Sequence, residues 1–99
     1  MRLTVAEQRA IPDAVRSVTG PKSRVRLFGS RTDDGAKGGD IDLLVEVDDP
    51  VENPALLGAR IGARLQQALG ERRFDIVLAA PNVAEQPIHR VARETGIEL

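Results

Sequence analysis

The stretch from Ile41 to Val47, IDLLVEV, constrains the fold more than any other part of the sequence. Every second residue in it is apolar, and Asp42, Leu44 and Glu46 occupy the alternate positions. A period of two predicts a strand with one face on the core. Val25 and Leu27 alternate with Arg24 and Arg26, which predicts another strand at 25–28, and the connection of about ten residues between the two strands is too short for a crossover. The two strands are therefore expected to be antiparallel.

Local signals predict the remaining elements. Thr4 and Glu7 have capping-box spacing, so a helix is expected from Thr4, in which Pro12 either kinks the helix or starts a second one. Further predicted elements are a helix with Asn53 as N-cap that ends near Leu69, a strand at 73–79, and a last helix from about Pro87 that ends at Gly96. Gly58 and Gly62 lie inside the middle helix and suggest close packing against the sheet.

The predicted order is α-β-β-α-β-α. The second and third strands are joined by a helix, so they are expected to be parallel. The fold class is therefore α/β (α+β), a small mixed sheet of about three strands covered by helices. At 99 residues, the chain is predicted to form one domain, residues 1–99.

Composition excludes several kinds of site. The chain has no cysteine, so a disulfide framework and a cysteine zinc site are excluded, and its single histidine, His89, excludes a histidine-rich metal centre. Two phenylalanines are the only aromatic residues, and the net charge is −1, which argues against direct nucleic-acid binding. No apolar run has the length of a membrane span, and the N-terminal residues do not resemble a signal peptide, so we expect a cytoplasmic protein.

The charge is unevenly distributed. Residues 32–54 contain eight acidic residues and one basic residue, whereas residues 1–31 contain two acidic and seven basic residues. A block of this kind is often a solvated surface. The small size leaves little room for a second domain that recognises a substrate, so an enzyme of this kind is expected to act on a substrate that another molecule presents.

The predicted topology brings three segments to one edge of the sheet. The end of the first strand (Gly29-Ser30) meets the start of the second (Asp40 to Asp42), which lies beside the start of the third, where Asp75 is found. Asp40 and Asp42 are two residues apart on a strand and share a face. We therefore expect the three carboxylates to lie close together.

Clustered carboxylates suggest a bound cation. Two unit charges 4 Å apart repel by about 4 kcal/mol at an effective dielectric of 20. Hard divalent cations bind oxygen ligands, and paired ions serve phosphoryl displacement. The Gly29-Ser30 turn adds a backbone that a phosphate can approach. The alternative interpretation is structural: Asp40 caps a turn, Asp42 faces solvent on an edge strand, and Asp75 is an ordinary strand residue. His89 is interpreted as a surface or packing residue.

The stretch LFGSRTDDGAKGGDIDLLVEV resembles the nucleotidyltransferase superfamily that includes DNA polymerase beta. The family signature is Gly-Ser, a loop, Asp-x-Asp, and a third carboxylate on a later strand. From about residue 22 onward the chain is similar to the minimal nucleotidyltransferases of bacteria and archaea, and its closing PIHRVARETGIEL is typical of them. In this chain nine residues separate Ser30 from Asp40, one fewer than in many minimal members, and Gly39 precedes the first Asp where they often have Ser or Ala.

The resemblance implies a role for each matching residue. Gly29 and Ser30 would contact the nucleotide phosphates, and Arg31 is a further candidate. Asp40 and Asp42 would ligate two Mg²⁺ ions, with Mn²⁺ as a substitute. Asp75 would share a metal ion and help to deprotonate the attacking hydroxyl.

The resemblance also implies an activity and a partner. The expected reaction is transfer of NMP, most simply AMP from ATP, to a hydroxyl of a HEPN-domain toxin, which would make this chain the antitoxin of the pair. A homo-oligomer or a complex with the partner is compatible with this. Two alternatives remain: a non-catalytic nucleotide-binding module that neutralises its partner by contact, and a transferase acting on a small molecule such as an antibiotic.

Overall fold

Buried residues alternate with less buried ones along much of β1 (Arg24–Phe28) and β2 (Asp40–Glu46), and this alternation organises the fold. A computed structural model describes residues 3–29 and 40–99. The elements are α1 (Val5–Thr19), β1 (Arg24–Phe28), β2 (Asp40–Glu46), α2 (Pro54–Leu69), β3 (Arg73–Ala79), α3 (Pro87–Thr95) and β4 (Ile97–Glu98). The predicted α/β class and the mixed sheet covered by helices are confirmed.

The described strands form one mixed sheet in the order β3-β2-β1-β4. β1 is antiparallel to β2, and β2 is parallel to β3, as the connection lengths predicted. The sheet contains one more strand than expected. β4 pairs antiparallel with β1, but its two residues directly follow Gly96 and are too few to show a periodicity.

The two faces of the sheet are covered by different helices. On one face, buried residues of β1 and β2 pack with Ile11 and Val15 of α1 and with Ile61 and Leu65 of α2. On the other face, Phe28, Leu44 and Ala79 form a smaller cluster with Ala92 of α3. Leu44 faces this second cluster, whereas Asp40, Asp42 and Glu46 occupy the rest of that face of β2. β2 lies between β3 and β1, and its apolar residues are fully buried.

The caps confirm the helix boundaries that the sequence predicted. Thr4 and Glu7 form the capping box of α1, and Asn53 accepts a hydrogen bond from Leu56 N at the start of α2. Pro12 lies inside α1, which continues past it as a single helix.

His89 is buried and connects α3 to the sheet. Its Nδ1 accepts from the Gln86 backbone N–H at 2.8 Å, and its Nε2 lies 3.0 Å from Leu78 O. Because Nδ1 is an acceptor, Nε2 carries the proton and donates to Leu78 O. The packing role expected for His89 therefore agrees with the structure. Among the described residues, no helix is long and apolar enough to cross a membrane.

One packing expectation is wrong. A Cβ placed on Gly58 or Gly62 would meet no atom within 4 Å apart from the helix itself, so neither glycine is required for contact with the sheet. Glycine in a helix interior costs about 0.5–1 kcal/mol relative to alanine. At these two positions of α2, alanine would therefore give a more stable protein than glycine does.

We predict that Gly58→Ala and Gly62→Ala each raise the free energy of unfolding by about 0.5–1 kcal/mol, measured by urea denaturation. The control is Gly70→Ala, because Gly70 ends α2 at a φ of 88°, where a side chain is strained. That variant should lose stability. A loss of stability in the Gly58 and Gly62 variants would contradict the open space found around them.

Candidate active site

The candidate site lies where β2 begins. Asp42 is paired in register with Phe28 of β1 on one side and with Asp75 of β3 on the other. Neighbouring strands are about 4.8 Å apart, so Asp42 and Asp75 are adjacent on the same face. The structure therefore brings together the end of β1 and the starts of β2 and β3, as the topology predicted.

Gly29 has an unusual backbone conformation and lies close to the side chain of Asp42. It directly follows β1 and has a φ of 77°, which side chains rarely adopt. A Cβ on Gly29 would lie 3.2 Å from Cγ of Asp42 and closer still to its Oδ2. Any larger residue would displace this carboxyl group, so the glycine allows the backbone and the carboxylate to approach each other.

The environment raises the pKa of the Asp42 carboxyl above its ordinary value. Partial burial is the largest cause, followed by the charge of Asp75 and a hydrogen bond with it, and then by the charge of Asp40. Within residues 3–29 and 40–99, neither Asp42 nor Asp75 forms an ion pair with an arginine or lysine. The ionised pair is therefore only weakly compensated.

Asp40 has a different neighbour. Its Oδ1 lies 3.7 Å from Nε of Arg73, the residue that faces it across the β2–β3 pair. In the described part of the chain, no three Asp, Glu, His or Cys side chains are grouped as a metal-binding cluster. The structure therefore brings Asp42 and Asp75 into contact, while Asp40 shares their face and lies against Arg73.

The donor set fits a hard divalent cation. All three side chains offer carboxylate oxygens, and a cation would relieve the repulsion that helps to raise the pKa of Asp42. Asp40 could join such a site if its contact with Arg73 were exchanged for one with the ion. Metal binding by Asp40, Asp42 and Asp75 stays a prediction.

Some predicted contacts cannot be placed. Ser30 and Arg31 lie outside the described residues, so their expected contacts with nucleotide phosphates remain predictions from the sequence. Arg73, by contrast, was missed by the sequence analysis. The sequence could have predicted this contact. β2 and β3 are parallel and both start at the site, so Arg73 lies opposite Asp40.

The comparison with protein families agrees with this geometry. The family model described as a nucleotidyltransferase domain matches residues 9–95, which is most of the chain. The chain belongs to the nucleotidyltransferase domain family. A comparison with curated proteins found no match. Family membership supports nucleotidyl transfer in general, a reaction in which members use a nucleoside triphosphate and divalent metal ions.

We predict that Asp42→Asn stabilises the folded protein at neutral pH by up to about 1 kcal/mol, the usual scale for partly exposed charges. Because the folded state raises the pKa of Asp42, ionisation of this group costs stability at neutral pH. That cost disappears as the pH falls through the raised pKa towards the ordinary value near 4, so the variant's advantage should vanish below about pH 4. Thermal unfolding at several pH values measures this.

The control for this variant is Asp48→Asn. Asp48 is an exposed carboxylate 3.1 Å from Arg24, so its removal relieves no repulsion of this kind. A gain in the Asp48 variant equal to that in the Asp42 variant would show that net charge, rather than the Asp42–Asp75 contact, is responsible.

We predict that Gly29→Ala lowers the rate of nucleotidyl transfer by about 100-fold, the effect of displacing a reacting group by about 1 Å. Gly20→Ala is the matched control. Gly20 also has a positive φ, 100°, but a Cβ there meets no atom within 4 Å, and Gly20 ends α1, before β1 begins. Both variants should lose stability, and only Gly29→Ala should lose activity in the folded protein. Equal activities would show that the contact with Asp42 is dispensable.

Proposed function

We propose that this chain is a divalent-cation-dependent nucleotidyltransferase that transfers NMP, AMP from ATP in the simplest case, to a hydroxyl of a partner protein. The observation that carries the proposal is the meeting of Gly29, Asp42 and Asp75 at one end of the sheet in a chain of this family. The acceptor class follows from the resemblance to minimal nucleotidyltransferases: a HEPN-domain toxin, with this chain as its antitoxin.

The chain's own residues would act as follows. The acceptor hydroxyl oxygen bonds to the α-phosphorus as the bond from that phosphorus to the bridging oxygen breaks, and pyrophosphate leaves. The hydroxyl proton passes to Asp75, whose carboxylate is exposed at the start of β3. Asp40 and Asp42 would hold the divalent ions. When bound, these ions would supply positive charge beside the phosphate oxygens.

Gly29 and Asp75 would each help to receive one of the two substrates, the nucleotide and the acceptor. Because Gly29 has no side chain, its backbone lies against the carboxyl group of Asp42, so phosphates held at Asp42 would lie beside that backbone. Asp75 is more exposed than Asp42, so an acceptor can reach it from solvent. The two substrates are thus expected to arrive from opposite sides of Asp42.

The test is label transfer from ATP carrying the label on either the α- or the γ-phosphate. The protein is incubated with Mg²⁺ and its co-purified partner, or with host lysate. We expect label on a protein band from the α-phosphate only, and we expect a chelator to abolish it. The double variant Asp40→Asn, Asp42→Asn should reduce transfer by at least about 1,000-fold, the scale of losing a group of catalytic carboxylates.

The matched control is Asp48→Asn, Asp49→Asn, which removes the same charge just beyond the other end of β2 and should leave transfer unchanged. Label from the γ-phosphate would indicate a kinase instead. If the Asp40, Asp42 double variant still neutralises the partner in cells, the chain acts by binding, as the non-catalytic alternative requires.

A further inference from the structure

The outer edge of β3 has a short open segment beside Asp75. β3 is an edge strand of the described sheet. Ala79 O accepts from Val47 N at 2.9 Å and so faces β2, whereas Leu78 O faces outward to His89. Because backbone groups alternate in direction along a strand, those of Phe74 and Ile76 also point outward.

Side chains close this edge at both ends. Nε2 of Gln66 donates to Arg72 O at 3.2 Å, and Nε2 of His89 to Leu78 O at 3.0 Å. Between them, the N–H and C=O groups of Phe74 and Ile76 have no hydrogen-bond partner among the residues that the structure describes. We call the stretch from Phe74 to Ile76 the edge window.

The side chains around the edge window also indicate a missing neighbour. The apolar residues of β2 from Ile41 to Val45 are fully buried, with 0% exposure. Those of β3 face the same layers of the fold and remain partly exposed: Phe74, Ile76, Val77 and Leu78. A further strand beside β3 would cover them. The window also contains none of the lysines or prolines that commonly protect edge strands.

We propose that the edge window binds an extended segment of the acceptor protein as an added antiparallel strand, with the acceptor's hydroxyl residue opposite Asp75. This proposal rests on the proposed function, because it describes how the acceptor of that reaction is held. Asp75 is the central residue of the window. Strand addition is a general mode of peptide recognition in which backbone hydrogen bonds give affinity and alternate side chains give specificity.

The hydrogen-bond pattern places the hydroxyl close to the carboxylate. Phe74 and Ile76 would each form a hydrogen-bonded pair with the segment, giving four new bonds. Asp75 would then lie in the non-hydrogen-bonded pair between them. In antiparallel sheets this pair has the closer Cα atoms, about 4.5 Å apart, and both side chains lie on one face. A Ser, Thr or Tyr at that position would therefore lie beside Asp75.

Charge favours a particular segment. Arg73 is 82% exposed and lies on the same face as Asp75, two residues earlier in β3. In an antiparallel segment, the residue opposite Arg73 is two positions after the hydroxyl residue. An acidic side chain there would form a cross-strand pair with Arg73. The expected segment thus has a hydroxyl residue, an acidic residue two positions later, and apolar residues that face the core side.

A second copy of this chain fits the window less well. Self-pairing of two β3 strands about Ile76 would place Phe74 of each copy opposite Leu78 of the other. The Leu78 carbonyl already accepts from His89. Self-pairing about Asp75 would avoid this conflict, but it would place the two Asp75 carboxylates directly opposite each other, where like charges are destabilising.

The first test uses a synthetic peptide, Lys-Val-Thr-Val-Tyr-Val-Asp-Val-Lys, and a matched peptide in which the two valines beside tyrosine are N-methylated. Amide hydrogen exchange is followed by NMR on the full chain. We expect the first peptide to slow exchange at the Phe74 and Ile76 amides and the second to bind at least about tenfold more weakly, because it lacks two of the hydrogen bonds. Equal binding of both peptides, or no protection at these amides, would overturn the proposal.

The second test uses Ile76→Pro, which removes an outward N–H and leaves the bonds to β2, with Ile76→Ala as the control that keeps the N–H. We expect label transfer to the partner and affinity for the first peptide both to fall at least about tenfold in Ile76→Pro relative to Ile76→Ala. Equal transfer would overturn the proposal. Circular dichroism checks the fold, and the peptide test decides the outcome if the proline variant fails to fold.

The two proposals fail in different ways. If the protein transfers no label and hydrolyses no ATP, but peptide binding still slows amide exchange at Phe74 and Ile76, the edge window binds a strand and the proposed function is wrong. A protein that transfers label equally well with Ile76→Pro and Ile76→Ala would retain the chemistry without this mode of acceptor binding.

Discussion

The register of β2 against its two neighbours is the constraint on which the site depends. One antiparallel and one parallel pairing place the end of β1, the start of β2 and the start of β3 at the same end of the sheet. A shift of one residue in either pairing would move Asp42 to the opposite face from its partner. The buried apolar residues of β2 prevent such a shift, because it would expose them to water. The core therefore specifies the site.

The charges in the central acidic region have different partners. Glu46 lies 3.3 Å from both Arg26 and Arg93, which connects α3 to the sheet, and Asp48 pairs with Arg24. Asp42, in contrast, lies against a second carboxylate, Asp75, and its pKa is raised. Arginines from other elements thus neutralise acidic groups at one end of β2, and the repulsion remains at the other end. This is the arrangement expected where a protein gives up stability to keep a functional site.

The two edges of the sheet differ in a way that bears on the partner. β4 covers the outer side of β1, and Leu99 N continues that pairing by donating to Val25 O at 2.9 Å. Among the residues that the structure describes, nothing covers β3 in this way, and its backbone groups at Phe74 and Ile76 have no partner there. If the acceptor is a protein, as proposed, the chain needs a surface that orients it, and an incomplete sheet edge supplies directional hydrogen bonds for that purpose.

The sequence by itself determined the elements other than β4 and the pairing directions of β1, β2 and β3. Alternation at Ile41 to Val47, the caps at Thr4 and Asn53, and the length of each connection predict them, because these depend on neighbours close in the chain. The convergence of Asp42 and Asp75 also followed from topology. Only the tertiary structure decided the pairing of β4, the open space at Gly58 and the closure of the β3 edge by His89. These depend on distances between residues far apart in the chain, which no local pattern encodes.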